Sequence, residues 1–156
     1  MTDRLADLAA DDPGAVAACL PVLRVLRPHL GPDGAVAAQL ARQAKEGYRI
    51  LAALDPGGAV QAFAGWRFTE NTIYGRFLYV DDLATMPERR GSGLGERLIT
   101  ALATRGKAAG CARLVLDSGV TNGAAHRFYF RQRLTVGALH FGLALDAPGV
   151  SGTTDL

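Results

Sequence analysis

The stretch ERRGSGLGERL, residues 88–98, sets three glycines at alternate positions between a basic pair and a run with helical spacing. Glycine inside a helix costs about 1 kcal/mol relative to alanine. Gly91, Gly93 and Gly95 therefore mark a place where the backbone has to be bare. The segment before them, FLYVDDLAT, reads as a strand, and Leu94, Leu98 and Leu102 after them share one helix face by i, i+4 spacing. Strand, glycine loop and helix in that order form an anion trap. Amides at a helix N-terminus point outward, the macrodipole favours negative charge, and the missing Cβ atoms let a phosphate reach the backbone. Arg89 and Arg90 are expected to add charge-assisted donors at the same mouth.

Two familiar phosphate motifs do not fit. A Walker loop, GxxxxGK[ST], needs a lysine that does not follow here. The dinucleotide fingerprint GxGxxG fails in spacing, because Glu96 and Arg97 follow GSGLG. It also requires a parallel strand–helix–strand start, whereas short polar turns before this loop predict an antiparallel meander. The pattern that remains is R-x-x-G-x-G, Arg90 through Gly95. The plainer reading is a glycine turn that merely closes a strand–helix corner.

The rest of the chain is read around this loop. Residues 14–27 carry apolar side chains on a helical period, with Pro21 expected to kink or divide the helix. A second helix is expected over 35–46, ended by Gly47 just past its last turn. Three strands follow: YRILAALD, AVQAFAGWRF and the long IYGRFLYVDDLAT. Beyond the glycine helix, GCARLVLD reads as a short strand and TNGAAHRFYFRQ as a helix capped by Thr121 or Asn122. VGALHFGLAL alternates as a last strand. One domain over residues 1–147 is expected, followed by a tail at 148–156.

Composition narrows the class. A chain of 156 residues with 49% hydrophobic content suits one core, and its apolar runs fall short of the roughly 20 residues of a membrane span. MTDRLADLAADDPGA has four aspartates and no apolar core of a signal peptide. A net charge of +2 does not argue for nucleic acid. Cys19 and Cys111 stand alone, and His29, His126 and His140 match no zinc spacing. The expectation is a cytoplasmic protein without metal, nucleic acid or membrane partner.

Over LATMPERRGSGLGERL and LDSGVTNGAAHRFYFRQRL the chain resembles the GCN5-related N-acetyltransferases, and the element order extends the resemblance to nearly the whole chain. The resemblance implies an α/β fold with a mixed, mostly antiparallel central sheet flanked by helices, and a splayed strand pair that holds acetyl-CoA. It implies that backbone amides of Gly91, Ser92, Gly93, Leu94 and Gly95, after Arg90, hold the pyrophosphate. Main-chain groups of Leu83, Ala84 and Thr85 would bind the pantetheine arm. Asn122, Ala125, Phe128 and Tyr129 match the second signature, N-x-x-A-x-x-F-Y. The Gly-Phe that usually follows is replaced by Arg133-Leu134, which touches the entry to the next strand. A homodimer is a further implication.

The implied reaction is attack of an amine on the acetyl thioester. The amine must lose a proton, the tetrahedral oxyanion needs a donor such as a backbone N–H near Ala84, and the departing thiolate needs an acid. Tyr129 is the candidate acid, against a plain role as an aromatic packed beside Phe128. Asp82 and then Asp81 are the candidate proton acceptors, against a structural ion pair with Arg76 or Arg67. Successive strand side chains face opposite ways, so both can face one cleft only across a bulge. Carboxylates there favour a cationic acceptor, either a small molecule or a protein amine. His126 is read as a polar contact before a catalytic group, and Asp117 as a loop or acceptor contact. Trp66, Phe68, Tyr74 and Tyr79 are core aromatics first and acceptor-pocket residues second. The runner-up for the whole chain is a non-catalytic module of this fold that binds an acyl-CoA.

Overall fold

The computed structural model describes residues 2–145. By its internal contacts the chain divides into two units, Met1–Leu116 and Asp117–Leu156, taken here in turn. The first holds β1 (Arg4–Leu8), α1 (Pro13–Leu26), α2 (Asp33–Lys45), β2 (Arg49–Leu54), β3 (Val60–Asn71), β4 (Gly75–Thr85), α3 (Leu94–Ala108) and β5 (Leu114–Leu116). The five strands make one sheet in the order β1-β2-β3-β4-β5. All pairings are antiparallel except β4 with β5, which is parallel. The fold is therefore mixed α/β around a mostly antiparallel sheet, as expected.

Alternation along β2 shows why helices cover both faces of the sheet. Ile50, Ala52 and Leu54 join Val16, Cys19, Val22 and Phe63 in one apolar cluster, the one that α1 and α2 cover. Leu51 and Ala53 join Trp66, Leu78, Leu94, Leu98 and Leu102 in a second, the one that α3 covers. A strand buried on both sides reads as a continuous apolar run, which is what ILAAL is. Trp66 belongs to the second cluster, with Arg49 and Arg105 stacked on its ring, so it is a core residue.

Local chemistry sets the helix ends. The Asp12 carboxylate accepts from the Ala15 amide at 2.7 Å, with Pro13 in the first turn, and α1 then runs unbroken through Pro21. The expected division at Pro21 does not occur; an exposed proline on the outer side of a buried helix sacrifices one hydrogen bond and the packed face holds the rest. Gly47, at φ +91°, ends α2: its amide bonds Ala44 O at 3.0 Å and the Tyr48 amide bonds Gln43 O at 3.0 Å. This pair of bonds is a Schellman turn.

β1 was not legible in the sequence. RLADL has two leucines among charges, and only its pairing with β2, Arg4 opposite Leu54 through Leu8 opposite Ile50, makes it a strand. No helix among the described residues is long and apolar enough to cross a membrane.

The second unit begins at Asp117 and contains α4 (Gly123–Arg131). Its cap is Asn122, whose Oδ1 accepts from the Ala125 amide at 3.2 Å. The expected strand over VGALHFGLAL is absent: residues 136–145 form no strand pairing and leave Val136, Leu139, Phe141, Leu143 and Leu145 exposed. Period-two alternation specifies which faces would be buried, but a strand exists only when a second strand takes up its backbone groups. The tail at 148–156 lies outside the described residues.

Candidate functional site

After Thr85 the chain makes a single 3-10 turn over Pro87–Arg89 and enters α3 through Gly91-Ser92-Gly93. Gly91 and Gly93 have φ of +77° and +83°, a region that L side chains rarely adopt. Gly93 is the N-cap and provides no side chain to satisfy the helix start. The first helical bond runs from Arg97 N to Gly93 O at 3.0 Å, while the Ser92 amide and hydroxyl turn back on Arg89 O. The amides of Gly91, Gly93, Leu94, Gly95 and Glu96 have no backbone acceptor among the described residues. Such a row of donors at the positive end of a 15-residue helix is the arrangement by which helix N-termini attract anions. Of the basic pair, Arg89 is committed to Asp3, which also receives Arg97 at its carbonyl. Arg90 is exposed and has no ion-pair partner among the described residues.

The strand leading to this loop opens on one side. β5 pairs with β4 only from Leu78 to Val80, whereas β3 follows β4 as far as Thr85. Asp81 to Thr85 thus have a strand on one flank and, among the described residues, none on the other. Leu83, Ala84 and Thr85 lie in this open part.

Asp81 and Asp82 sit at a bulge. Gly65 is opposite Asp82 and Trp66 opposite Val80, so Asp81 is the extra residue. The bulge cancels the strict alternation, and both carboxylates line one recess of about 240 Å³ with Arg27, His29, Gln39 and Gln43. Leu23, Leu30, Val36 and Leu40 from α1, α2 and their connection supply its apolar wall. Phe68, Tyr74 and Tyr79 do not line it.

Each carboxylate is already paired. Arg67 binds Asp81 in a fork, with Nε and a terminal nitrogen each 3.0 Å from one oxygen. Arg27 binds Asp82 at 3.2 Å and reaches the Asp81 carbonyl at 3.3 Å. The Tyr48 phenol donates to Asp82 Oδ2 at 2.9 Å. Burial pushes the Asp81 carboxyl above its ordinary value, against the lowering effect of Arg67. Two aspartates and two arginines make the cluster close to neutral. The plainer sequence reading of an ion pair with Arg67 is thus correct for Asp81, while Arg76 instead stacks on the Phe68 ring.

In the second unit, Tyr129 is half-buried on α4 and meets Phe128 edge to face at 5.5 Å. Asn122 uses its side chain to cap α4. His126 Nε2 lies 2.8 Å from Gly119 O, a polar contact as expected, and Asp117 is 3.6 Å from His140. Arg133 adopts φ +64°, the left-handed position at which the usual glycine would be unstrained.

The family model of the acetyltransferase (GNAT) family matches residues 17–133, three quarters of the chain. The chain belongs to the GNAT acetyltransferase family. No curated protein sequence matches it. Solved structures of similar fold include an acetyltransferase from Trypanosoma brucei, at 22% identity and a TM-score of 0.75, covering 92% of this chain and 99% of that one. Another is a ribosomal-protein-alanine N-acetyltransferase from Brucella melitensis, at 20% identity and 0.76, covering 91% and 99%. A third is an aminoglycoside acetyltransferase from an uncultured soil sample, at 16% and 0.76, covering 93% and 97%. At such identities these likenesses establish the fold.

Sequence reading of this GNAT chain found the loop and the carboxylates but missed Arg27 and Tyr48. Both lie in sequence far from Asp82 and carry no motif. One signal was present: an isolated glycine within the apolar run AFAGWRF marks a bulge or a close approach of another group. Gly65 is both.

Proposed function

We propose that the protein transfers the acetyl group of acetyl-CoA directly to a primary amine of a small molecule or a protein. The observation that carries this reading is the row of unused amides at the start of α3, reached across two positive-φ glycines. Its donors suit a pyrophosphate, with exposed Arg90 beside them. The unpaired flank of β4 at Leu83, Ala84 and Thr85 suits an extended amide-bearing arm, which would bond to it like an added strand. An amide near Ala84 is then in line to receive the oxyanion.

The acceptor amine enters the recess at the bulge. Once deprotonated, its nitrogen adds to the thioester carbonyl to give the tetrahedral oxyanion, which collapses as the carbon–sulfur bond breaks, and the second proton the nitrogen sheds replaces the one that Tyr129 gives to the thiolate. Asp81, whose carboxyl burial pushes above its ordinary value, takes the ammonium proton, and Asp82, held by Arg27 and Tyr48, is the negative charge that draws the amine in. Tyr129 supplies a proton to the departing thiolate, the role open to a protonated phenol. Because Arg27 and Arg67 balance the two aspartates, the recess supports an acceptor with one amino group in preference to a polycation.

Calorimetric titration with acetyl-CoA, CoA and NAD tests the reading, on wild type and on Gly93→Glu. Micromolar binding of both CoA species, no binding of NAD, and loss in the variant are expected. If neither CoA species binds wild type, the glycines merely close a corner and the reading falls.

A further inference from the structure

Tyr48 has no part in the reaction just described, yet it is only 3% exposed and its one polar atom is spent on Asp82. Three devices put it there. The Schellman turn at Gly47 sends the chain from α2 straight into β2, with Tyr48 as the hinge residue. Gly65 on β3 leaves the volume that the phenol fills, since a Cβ at that position would stand 1.9 Å from the phenol oxygen. The guanidinium of Arg67 lies 5.7 Å from the ring centroid while it grips Asp81. One tyrosine thus touches both Asp82 and the arginine that holds Asp81.

The chemistry of this contact is specific. Asp81 and Asp82 are adjacent like charges, and the charge of Asp82 disfavours ionisation of Asp81. Arg27 and Arg67 already offset them one for one. A neutral phenol adds a hydrogen bond to Asp82 without adding a third positive charge that would repel an ammonium. The phenol stays protonated, because burial and then Asp82 hold it well above its ordinary value.

We propose that Tyr48 is a positioning residue for the transfer reaction: its phenol fixes the Asp82 carboxylate as an ionised anchor for the acceptor's amino group, and Gly65 is the opening that admits it. The proposal rests on the recess being the acceptor site. The groups that bear on Asp82 are Arg27 from the end of α1, Tyr48 before β2, Asp81 beside it on β4 and Arg67 on β3, with Cys19 of α1 near the phenol and His29 at the recess wall.

The test is a carbon-13 carboxyl NMR titration of Asp82 in the intact protein, wild type against Tyr48→Phe and Gly65→Ala. It is paired with steady-state kinetics on alaninamide and phenethylamine. Removing a donor to the charged form raises a carboxyl pKa, so the Asp82 midpoint moves up in Tyr48→Phe. The KM for amine rises about five- to tenfold, the scale of one ordinary hydrogen bond, and the KM for acetyl-CoA stays put. Gly65→Ala expels the phenol by a different route and reproduces the titration shift; Tyr48→Phe, which removes a single oxygen, keeps the test alive if Gly65→Ala does not fold. An Asp82 midpoint unchanged in Tyr48→Phe overturns the role of the phenol. A shifted midpoint with amine KM unaffected in both Tyr48→Phe and Asp82→Asn overturns the anchor, and in that case it is the recess reading that has failed.

Discussion

Every buried hydrophobic side chain of the described residues lies in Met1–Leu116, while the described part of Asp117–Leu156 buries none and exposes Val120, Phe130, Val136, Leu139, Phe141, Leu143 and Leu145. The two regions are similarly rich in apolar residues, so the difference lies in partners. β2 and β3 have a strand on each side and a helix on each face; residues 136–145 have neither. An apolar pattern states what a segment is able to bury, and the neighbours decide whether it does. Native-state hydrogen exchange probes this contrast most sharply. Amides at the centre of β3 should exchange on the order of a thousandfold more slowly than those of residues 136–145, as expected between a core strand and an unpaired segment. Comparable protection in both would mean that a strand from another copy, or another edge, covers the second region in solution.

Function can be divided along the same line. Gly93→Glu places a carboxylate where an anion is proposed to sit, on a residue at φ +83°. Acetyl-CoA affinity should fall by about a hundredfold or more, since like charge and backbone strain act together. Retained affinity in calorimetry would remove the first region's claim to the pyrophosphate. Tyr129→Phe asks the matching question of the second region. Loss of the acid should lower kcat by about tenfold or more, within the usual range for a general acid, with acetyl-CoA affinity almost unchanged. An unaltered kcat would remove Tyr129 from the mechanism and leave its edge-to-face packing on Phe128 as a structural role.

What was legible in the sequence follows the range of the interactions. The glycine loop is largely a local device: its positive-φ glycines and its turn back onto Arg89 lie within a few residues of one another, and only the Arg89 and Arg97 bonds to Asp3 reach beyond the motif. The meander was equally plain, because polar turns separate apolar runs that pair with their immediate neighbours. A bulge was the condition for both aspartates to face one cleft, but its place was not legible, since it depends on the register against β3. Arg27 and Tyr48 meet Asp82 across 55 and 34 residues, and no spacing rule spans such distances. The direction in which Asp81 is displaced depends on burial in competition with Arg67, a balance that only packing reveals. β1 and residues 136–145 erred in opposite senses for one reason. Leu5 and Leu8 found a partner in β2 that their own pattern did not demand, and the alternating segment found none.

The smallest expected effect concerns Arg133. α4 ends as α2 does: the Arg133 amide bonds Phe130 O and the Leu134 amide bonds Tyr129 O, both at 3.0 Å, with Arg133 in the position that Gly47 fills after α2. At φ +64° the arginine Cβ crowds the following carbonyl, a cost of about 1 kcal/mol that glycine does not incur. Arg133→Gly should therefore stabilise the protein by up to about 1 kcal/mol, less whatever the freer glycine adds to the entropy of the unfolded chain. Chemical denaturation at constant m-value measures it. A gain would show that this end of α4 is a strained version of the turn after α2, and that replacing Gly-Phe by Arg-Leu preserved the turn's hydrogen bonds. A loss would mean that the arginine side chain contributes contacts that outweigh its backbone strain, and the likeness between the two helix ends would stop at the backbone.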